Sequence, residues 1–350
     1  RRSAWVSIPE IYKSSSYEKA LDDLNKMGIE ELYPIVFSGG AYYPSDHFPQ
    51  VEGFEGKDIL TPFIKEARKY GMRVYPWIVS LNLYHKEYAL KNKHLYVVNK
   101  LGVSCVDKPS YVDSYKWLCP SREESKEHLA NIFLEVAQKF DVDGLHFDYI
   151  RLPDVILPAG LRGKYEGVPQ EEIILPQFDF CYCEVCRSRF KEECGIDPIN
   201  LSYIEPNYGR WFRWRADRVT EVVRHVYGEV KRYDAGLEVS AAVFATPELS
   251  YQYVFQDWPG WGIDLYNPMI YHKYYVHDHR WIGSAVKSAV LRGVDVSAGV
   301  LIGFFERRED VIEAFQLAKD NGAVGVTLFV YPPPRAELLE WCKEALKSAQ

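Results

Sequence analysis

The segment DGLHFDYIR, at residues 143–151, gives the clearest indication of the fold. It is a short apolar run in which one carboxylate, Asp148, stands close to the end. A run with helical periodicity precedes it at 122–140, and another follows at 211–232 after a long connection. A buried strand between amphipathic helices is typical of a parallel sheet that is covered by helices.

The same alternation extends outward along the whole chain. Apolar, β-branched runs predict eight strands, at 4–8, 32–37, 73–79, 144–149, 238–244, 265–271, 296–302 and 324–330. Helical patterns follow at 17–26, 60–70, 122–140, 211–232, 249–258, 281–292, 310–320 and 336–347, the fifth of which is helical or irregular. Ser121 with Glu124 predicts a capping box at the third of these helices.

Eight strand–helix units with no segment left over predict an α/β fold, a single (β/α)8 TIM barrel over residues 1–350. The connection at 151–206 is read as an insertion after strand four that carries most of the cysteines. An open doubly wound sheet is the alternative fold. That fold normally has a Gly-rich phosphate turn after its first strand, and this sequence has none there.

Composition narrows the class of partner. The chain of 350 residues is 47% hydrophobic and has a net charge of −7, with no dense run of Lys and Arg, which argues against nucleic acid. No stretch reaches the roughly 18 apolar residues of a membrane span, and no hydrophobic leader opens the sequence, so no membrane partner is expected. The location stays open, with an extracellular or periplasmic one slightly favoured, and the sequence leaves the oligomeric state unknown.

In such barrels the reacting groups lie at the carboxyl ends of the strands and in the loops that follow them. Asp148 has such a position, and an ionised carboxylate at the end of a buried strand needs partners. We expect Arg151 to hold it ionised, and strand alternation places His146 on the same side as Asp148. The alternative interpretation is an Asp–Arg pair that only ties down the loop.

Cleavage of a sugar acetal requires two carboxyl groups, one held ionised and one able to donate a proton. Asp148 is predicted to have the ionised role. Candidates for the proton donor are Glu306, among aromatic residues after strand seven, and Glu248, after strand five, with Asp257 and Asp46 as further possibilities. Aromatic residues make up 15% of the chain, and flat apolar rings suit the faces of sugars. The predicted substrate-binding residues near strand ends are Tyr43, Trp77, His146, Arg151, Tyr271, His272 and Tyr331.

The cysteines are unevenly distributed, since Cys181, Cys183 and Cys186 fall within six residues. Three thiols at this spacing can converge on a tetrahedral zinc ion that needs one more ligand. Cys119 or Cys105 can supply it from the loop after strand three, and Cys194 is the local alternative. Disulfides in an exported protein and free buried thiols are the competing interpretations. With four thiolate ligands the ion would be structural, and we expect no cofactor for catalysis.

The segment at residues 142–153, preceded by Cys119-Pro120-Ser121 and a helix, resembles the strand-four signature of glycosyl hydrolase-like family 10. Further similarity lies in Tyr75-Pro76-Trp77, in the stretch 267–271, at Gly299 and in Leu328-Phe329. The resemblance implies a glycoside hydrolase that acts on the O-glycosidic bonds of an oligo- or polysaccharide. It also implies that Asp148 is the nucleophile or charge stabiliser. The cysteine run is similar to the structural zinc site of family 42 β-galactosidases.

The sequence also departs from related enzymes. Amylase-type barrels place a Glu at the end of strand five, whereas residues 239–244 end without one, and Tyr149 stands where some relatives have a second Asp. A catalytically silent carbohydrate-binding barrel is therefore the alternative function. A metal-dependent hydrolase is a third, but such sites usually need several histidines at strand ends, where only His146 and His272 stand.

Overall fold

The computed structural model describes residues 1–349, which form a closed barrel of parallel strands surrounded by helices. The sheet order is β1-β9-β8-β7-β6-β5-β4-β2, with β3 beside β2, and β1 pairs with β2 to close the barrel. The predicted (β/α)8 TIM barrel is confirmed. The strands are β1 Arg2–Val6, β2 Glu31–Phe37, β3 Arg73–Val74, β4 Trp77–Val79, β5 Gly144–Asp148, β6 Glu238–Phe244, β7 Leu265–Met269, β8 Ser297–Leu301 and β9 Gly325–Tyr331.

The third strand of the barrel is broken into β3 and β4, where a single run at 73–79 was expected. Pro76 lies at the break, and because proline has no backbone N–H it cannot donate to a ladder. Its carbonyl oxygen still accepts from the backbone N of His146 at 2.9 Å, so the strand remains in the barrel. The break leaves Trp77 at the start of β4, opposite His146, and Val79 opposite Asp148.

Twelve helices accompany the strands within residues 1–349. They are α1 Ile8–Ser14, α2 Tyr17–Met27, α3 Leu60–Lys69, α4 Lys86–Lys91, α5 Glu123–Lys139, α6 Ala159–Arg162, α7 Glu184–Cys194, α8 Pro206–Tyr233, α9 Pro247–Val254, α10 Trp281–Val290, α11 Arg308–Asp320 and α12 Glu337–Ser348. Within that same part of the chain, no helix combines the length and the apolar character that crossing a membrane requires.

The predicted capping box at α5 is wrong. The helix begins at Glu123, and its N-cap residue is Arg122, which makes no side-chain capping hydrogen bond. Ser121 lies one residue too early to cap the helix, and its Oγ is instead 3.1 Å from Cys186 Sγ. The segment before α5 is therefore tied to the long connection between β5 and α8, which contains α6 and α7.

An aromatic layer fills the interior of the barrel below the carboxyl ends of the strands. It consists of Trp5, Tyr33 and Tyr75 with Ala242, all almost fully buried. His146 lies in the same layer: its Nε2 accepts from Trp5 Nε1 at 2.9 Å, and its Nδ1 is 2.8 Å from Ser240 Oγ. This packed layer forms the floor on which the candidate site is built.

Candidate active site

Asp148 is the last residue of β5, and the residue is only 5% exposed. Trp77 Nε1 donates to Oδ2 at 2.8 Å, and the backbone N of Tyr149 donates to Oδ1 at 2.7 Å. Tyr149 adopts a left-handed conformation with φ 50, which ends the strand directly after the carboxylate. Burial raises the pKa of Asp148 to about 6, although the Tyr149 hydrogen bond, the Arg151 charge and the Trp77 hydrogen bond lower it.

The expected ion pair between Asp148 and Arg151 is wrong. Arg151 Nη1 instead forms a salt bridge with Asp154 Oδ2 at 2.9 Å, and both side chains are buried. The guanidinium group also lies over the rings of Trp117, at 4.7 Å, and Phe244, at 5.0 Å. Arg151 therefore acts on Asp148 only through its charge, and burial dominates the ionisation of Asp148.

Asp154 is a second carboxylate in the same place, and the sequence analysis missed it. Its Oδ2 accepts from Tyr115 Oη at 3.2 Å as well as from Arg151, and its backbone oxygen accepts from Tyr111 Oη at 2.6 Å. The signal for it was local. Asp154 follows Arg151 by three residues in the loop after the fourth barrel strand, which is where catalytic groups of such barrels are found.

These two carboxyl groups lie in a cleft at the carboxyl end of the barrel, with a volume of about 260 Å³. Trp77 at the start of β4, Phe329 in β9 and Tyr271 just after β7 line it. Leu161 and Tyr165 line it from the connection after β5. The remaining lining residues are Trp5, Tyr111, Tyr115, Tyr149, Arg151, Leu157, Pro158, Ala242, Phe244, Met269, Tyr274 and Tyr275. The cleft thus combines two carboxyl groups and one paired guanidinium with a largely aromatic wall.

Of the predicted site residues, the structure brings Asp148, Trp77, Arg151 and Tyr271 together in this cleft. It places His146 below the cleft, in the buried layer, because two residues along a strand amount to about 7 Å of depth. The direction of its side chain was predicted, but its depth was not. His146 is bound to Trp5 and Ser240 and lines no part of the cleft.

Two predicted aromatic platforms also lie elsewhere. Tyr43 is fully buried, and its hydroxyl donates to Glu135 Oε2 at 2.9 Å. Tyr331 donates to Asp23 Oδ2 at 3.1 Å, and Phe329 occupies the position in the cleft that was expected for Tyr331. The cause is a register shift: Trp5 pairs with Phe329, but the next residue, Val6, pairs with Tyr331, so the usual alternation is broken.

The carboxylates proposed as proton donors lie outside the cleft. Glu248 is exposed and pairs with Arg292 at 2.7 Å. The Glu306 side chain is 80% exposed, and its hydrogen bond with Lys273 holds its pKa below the ordinary value, which is the opposite of what a proton donor needs. The two further candidates are also on the surface, where Asp46 pairs with Lys139 at 2.8 Å and Asp257 with Arg213 at 2.5 Å.

The cysteines converge as the sequence suggested. Cys119, Cys181, Cys183 and Cys186 are buried, and their Sγ atoms lie within 4.8 Å of one another; we call them the four-cysteine centre. Cys119 Sγ is 3.7 Å from Cys183 Sγ and 3.4 Å from Cys186 Sγ, which is far beyond the roughly 2 Å of a disulfide. All seven cysteines are free, so the disulfide interpretation is wrong, and Cys105 and Cys194 stand outside the centre.

The fold and the cleft together define the class of protein: a (β/α)8 barrel with a carboxyl group at the end of its fourth strand, inside an aromatic cleft. Residues 3–304 match the family described as glycosyl hydrolase-like 10. The chain therefore belongs to that family. A search for related sequences among curated proteins finds no match.

Solved structures of similar fold include several carbohydrate-active proteins. The glycoside hydrolase domain of PgaB (BpsB) from Bordetella bronchiseptica is 15% identical, with a TM-score of 0.71 over 99% of this chain and 97% of that one. The catalytic domain of a β-amylase from Paenibacillus polymyxa is 13% identical, with a TM-score of 0.65 over 99% and 98%. A β-galactosidase from Rahnella sp. R3 is 11% identical, with a TM-score of 0.68. The alignment covers 99% of this chain and 56% of the β-galactosidase chain. At these identities the likeness establishes the shared fold.

Proposed function

We propose that this protein is a glycoside hydrolase that cleaves O-glycosidic bonds of an oligo- or polysaccharide in the cleft, with Asp148 as general acid. The observation that carries the proposal is the pair of buried carboxyl groups in one aromatic cleft: Asp148, whose pKa is raised to about 6, and Asp154, which is paired with Arg151. Membership of a glycosyl hydrolase-like family supports the same class of reaction.

The role of Asp148 follows from its environment. A carboxyl group whose pKa is raised to about 6 is protonated in mildly acidic solution and can pass that proton to the leaving oxygen of a glycosidic bond. Since burial is the largest cause of the shift, the group has the environment of an acid rather than of a permanently ionised nucleophile. The proposal thus reverses the role that the sequence suggested for Asp148.

Asp154 is the second carboxyl group of the proposed mechanism. Its salt bridge with Arg151 and its hydrogen bond from Tyr115 both hold Oδ2, and the residue lines the cleft. A carboxylate in this position can stabilise the positive charge that develops on the sugar ring or activate the attacking water. The guanidinium of Arg151 is occupied by Asp154 and by aromatic rings, so we assign it to positioning rather than to substrate binding.

The aromatic wall is proposed to hold the sugar. Trp77 and Phe329 meet edge to face with ring centroids 6.2 Å apart, and Phe329 is 37% exposed, so both can present apolar surface to a pyranose ring. Tyr271 lies in the same wall. Metal-dependent hydrolysis has no comparable support, because neither group of closely spaced metal-binding side chains within residues 1–349 contains a residue that lines the cleft.

The test is the release of reducing ends from a broad panel of purified glycans by the wild type, Asp148→Asn and Glu248→Gln. Because general acid catalysis contributes about 10²–10⁴-fold, we expect Asp148→Asn to lose at least a hundredfold in rate. Glu248→Gln is the matched control, since Glu248 lies outside the cleft, and we expect it to retain wild-type turnover. Full turnover by Asp148→Asn contradicts the proposal, and glycan binding without cleavage by the wild type favours the silent binding barrel.

We further propose that the four-cysteine centre holds a structural Zn²⁺ ion. A tetrahedral ion with Zn–S bonds of about 2.3 Å requires sulfurs roughly 3.8 Å apart, and the observed separations of 3.4 and 3.7 Å fit that arrangement. Burial raises the pKa of the Cys119 and Cys181 thiols, and a metal ion would compensate their ionisation. Four protein ligands leave no open position, so the ion would join the loop after β4 to the connection after β5 without entering catalysis.

A further inference from the structure

A second cavity of about 380 Å³ opens at the carboxyl end of the barrel, beside the cleft. The loops after β7 and β8 form it, and its lining includes His272, Lys273, Phe304, Phe305, Glu306 and Arg307. This end of the barrel is also the end that carries Asp148, so a ligand of sufficient length can contact both places. The question is which chemistry the second cavity suits.

His272 is the feature that points to a ligand. The residue is 4% exposed, and its ring packs edge to face against Phe304 and Phe305, with ring centroids 5.7 and 5.1 Å away. Its ring takes part in no side-chain hydrogen bond within residues 1–349, and it lines the second cavity. Burial lowers its pKa to about 4, so at neutral pH the ring offers one donor and one acceptor. A sugar hydroxyl, which donates and accepts, complements such a ring.

The charged groups of the second cavity do not favour an anion or a metal ion. Lys273 pairs with Glu306 at 3.0 Å, and Arg307 Nε donates to Asp310 Oδ2 at 3.1 Å, so neither cation is free for a phosphate or carboxylate. His279 lies close to Asp310 and Glu313, a grouping with metal-ligand chemistry. Both carboxylates of that grouping already have arginine partners, Arg307 for Asp310 and Arg280 for Glu313. With these charges paired, the second cavity favours a neutral ligand, and the donor and acceptor of His272 suit a polyhydroxyl one.

Two aromatic rings in contact link the lining of the cleft to the lining of the second cavity. Tyr274 lines the cleft, and its ring meets Phe304, which lines the second cavity, edge to face at a centroid distance of 5.0 Å. Lys273, the neighbour of Tyr274 in sequence, faces the second cavity. A saccharide chain that leaves the cleft over Tyr274 would therefore reach Phe304 and His272 next.

We propose that the second cavity is a distal saccharide subsite, in which His272 and Phe304 bind a sugar unit of a chain whose other end occupies the cleft. This inference rests on the proposed glycoside hydrolase function and extends it. It makes the natural substrate an oligomer or polymer that is long enough to span both places, rather than a disaccharide.

The experiment uses neutral gluco-, xylo-, manno-, galacto- and chito-oligosaccharides of two to six units. Affinity is measured by calorimetry with Asp148→Asn as the binding form, and cleavage is measured with the wild type. In a series that the wild type cleaves, we expect affinity to rise about tenfold when one particular sugar unit is added, because that unit fills the distal subsite. A tenfold rise is equivalent to about 1.4 kcal/mol of binding free energy. His272→Ala in the same background is expected to abolish that rise without changing the affinity of the shortest ligand.

Two further variants keep the test decisive. Phe304→Ala removes the half-buried ring that packs against His272 and is expected to abolish the same rise if His272→Ala does not fold. His225→Ala is the control: it removes an exposed imidazole on α8 and is expected to keep the tenfold rise in affinity. Two results overturn the distal subsite but not the hydrolase. One is a tenfold rise that persists in both His272→Ala and Phe304→Ala, and the other is the absence of any rise in a series that the wild type cleaves. Absence of both cleavage and binding throughout the panel overturns both proposals.

Discussion

Trp77→Phe tests the proposed acid at a single hydrogen bond. Trp77 Nε1 donates to Asp148 Oδ2 at 2.8 Å, and this bond favours the ionised carboxylate. Phenylalanine retains an aromatic ring but has no N–H group. The ionised form loses a partner, so the pKa of Asp148 must rise above its value of about 6.

The size of the rise follows from the strength of the bond. A hydrogen bond to a charged group contributes about 1.5–3 kcal/mol, and one pKa unit corresponds to about 1.4 kcal/mol. Trp77 lines the cleft and is only partly buried, so water can replace the donor in part. We therefore take the lower end of the range and expect the pKa of Asp148 to move upward by about one unit.

The assay is the pH dependence of kcat/KM, which reports groups of the free enzyme. A general acid must be protonated, so wild-type activity should fall as pH rises through about 6, and in Trp77→Phe the same fall should come near pH 7. The readout is the pH at which activity falls, that is, the position of the descending limb of the pH profile. The height of the profile is not the readout, because loss of the indole also lowers it. Trp341→Phe, on α12, is the control and should leave the limb in place. A limb that stays or moves to lower pH in Trp77→Phe refutes the assignment.

Three further predictions concern stability and the metal centre. The raised pKa of Asp148 makes the folded state lose stability as pH rises from about 4 through 6. Between pH 4 and pH 8, Asp148→Asn should therefore gain about 2–3 kcal/mol in free energy of unfolding relative to wild type, and a constant difference contradicts this prediction. Elemental analysis should find about one zinc ion per chain in the wild type. Cys119→Ser should lose the zinc and melt at a lower temperature, whereas Cys194→Ser should keep the metal. Gly160→Ala should lower the free energy of unfolding by about 1–3 kcal/mol and weaken turnover, because its Cβ would lie 2.4 Å from the Lys273 carbonyl oxygen. Gly163→Ala is the control and should do neither, because a Cβ at that position has open space. Equal denaturation midpoints for the two variants would contradict the reasoning.

The barrel could be predicted because its signals are short-range. Apolar runs and helical periods repeat eight times, and the bounds of β6, Glu238–Phe244, follow directly from its β-branched and apolar residues. The four-cysteine centre was nearly as accessible. Three ligands lie within six residues, and the fourth, Cys119, comes from the adjacent loop, as the neighbouring strands of a barrel suggest.

The site was less predictable, because it depends on packing between distant segments. Arg151 has Asp148 and Asp154 each three residues away, and only the folded loop decides that the salt bridge goes to Asp154. Phe329 lines the cleft where Tyr331 was expected because of a register shift between β1 and β9. Alternation within one strand cannot reveal such a shift. Burial, which raises the pKa of Asp148, is likewise a property of the whole cleft.

The most direct test of the central claim is a crystal structure of Asp148→Asn with an oligosaccharide that the wild type cleaves. The account predicts that the chain lies in the aromatic cleft with the oxygen of the scissile bond about 2.6–3.2 Å from the side chain at position 148, the reach of a general acid. A scissile bond that lies elsewhere in the cleft, beyond hydrogen-bond distance of position 148, or a saccharide bound only outside the cleft, would contradict it.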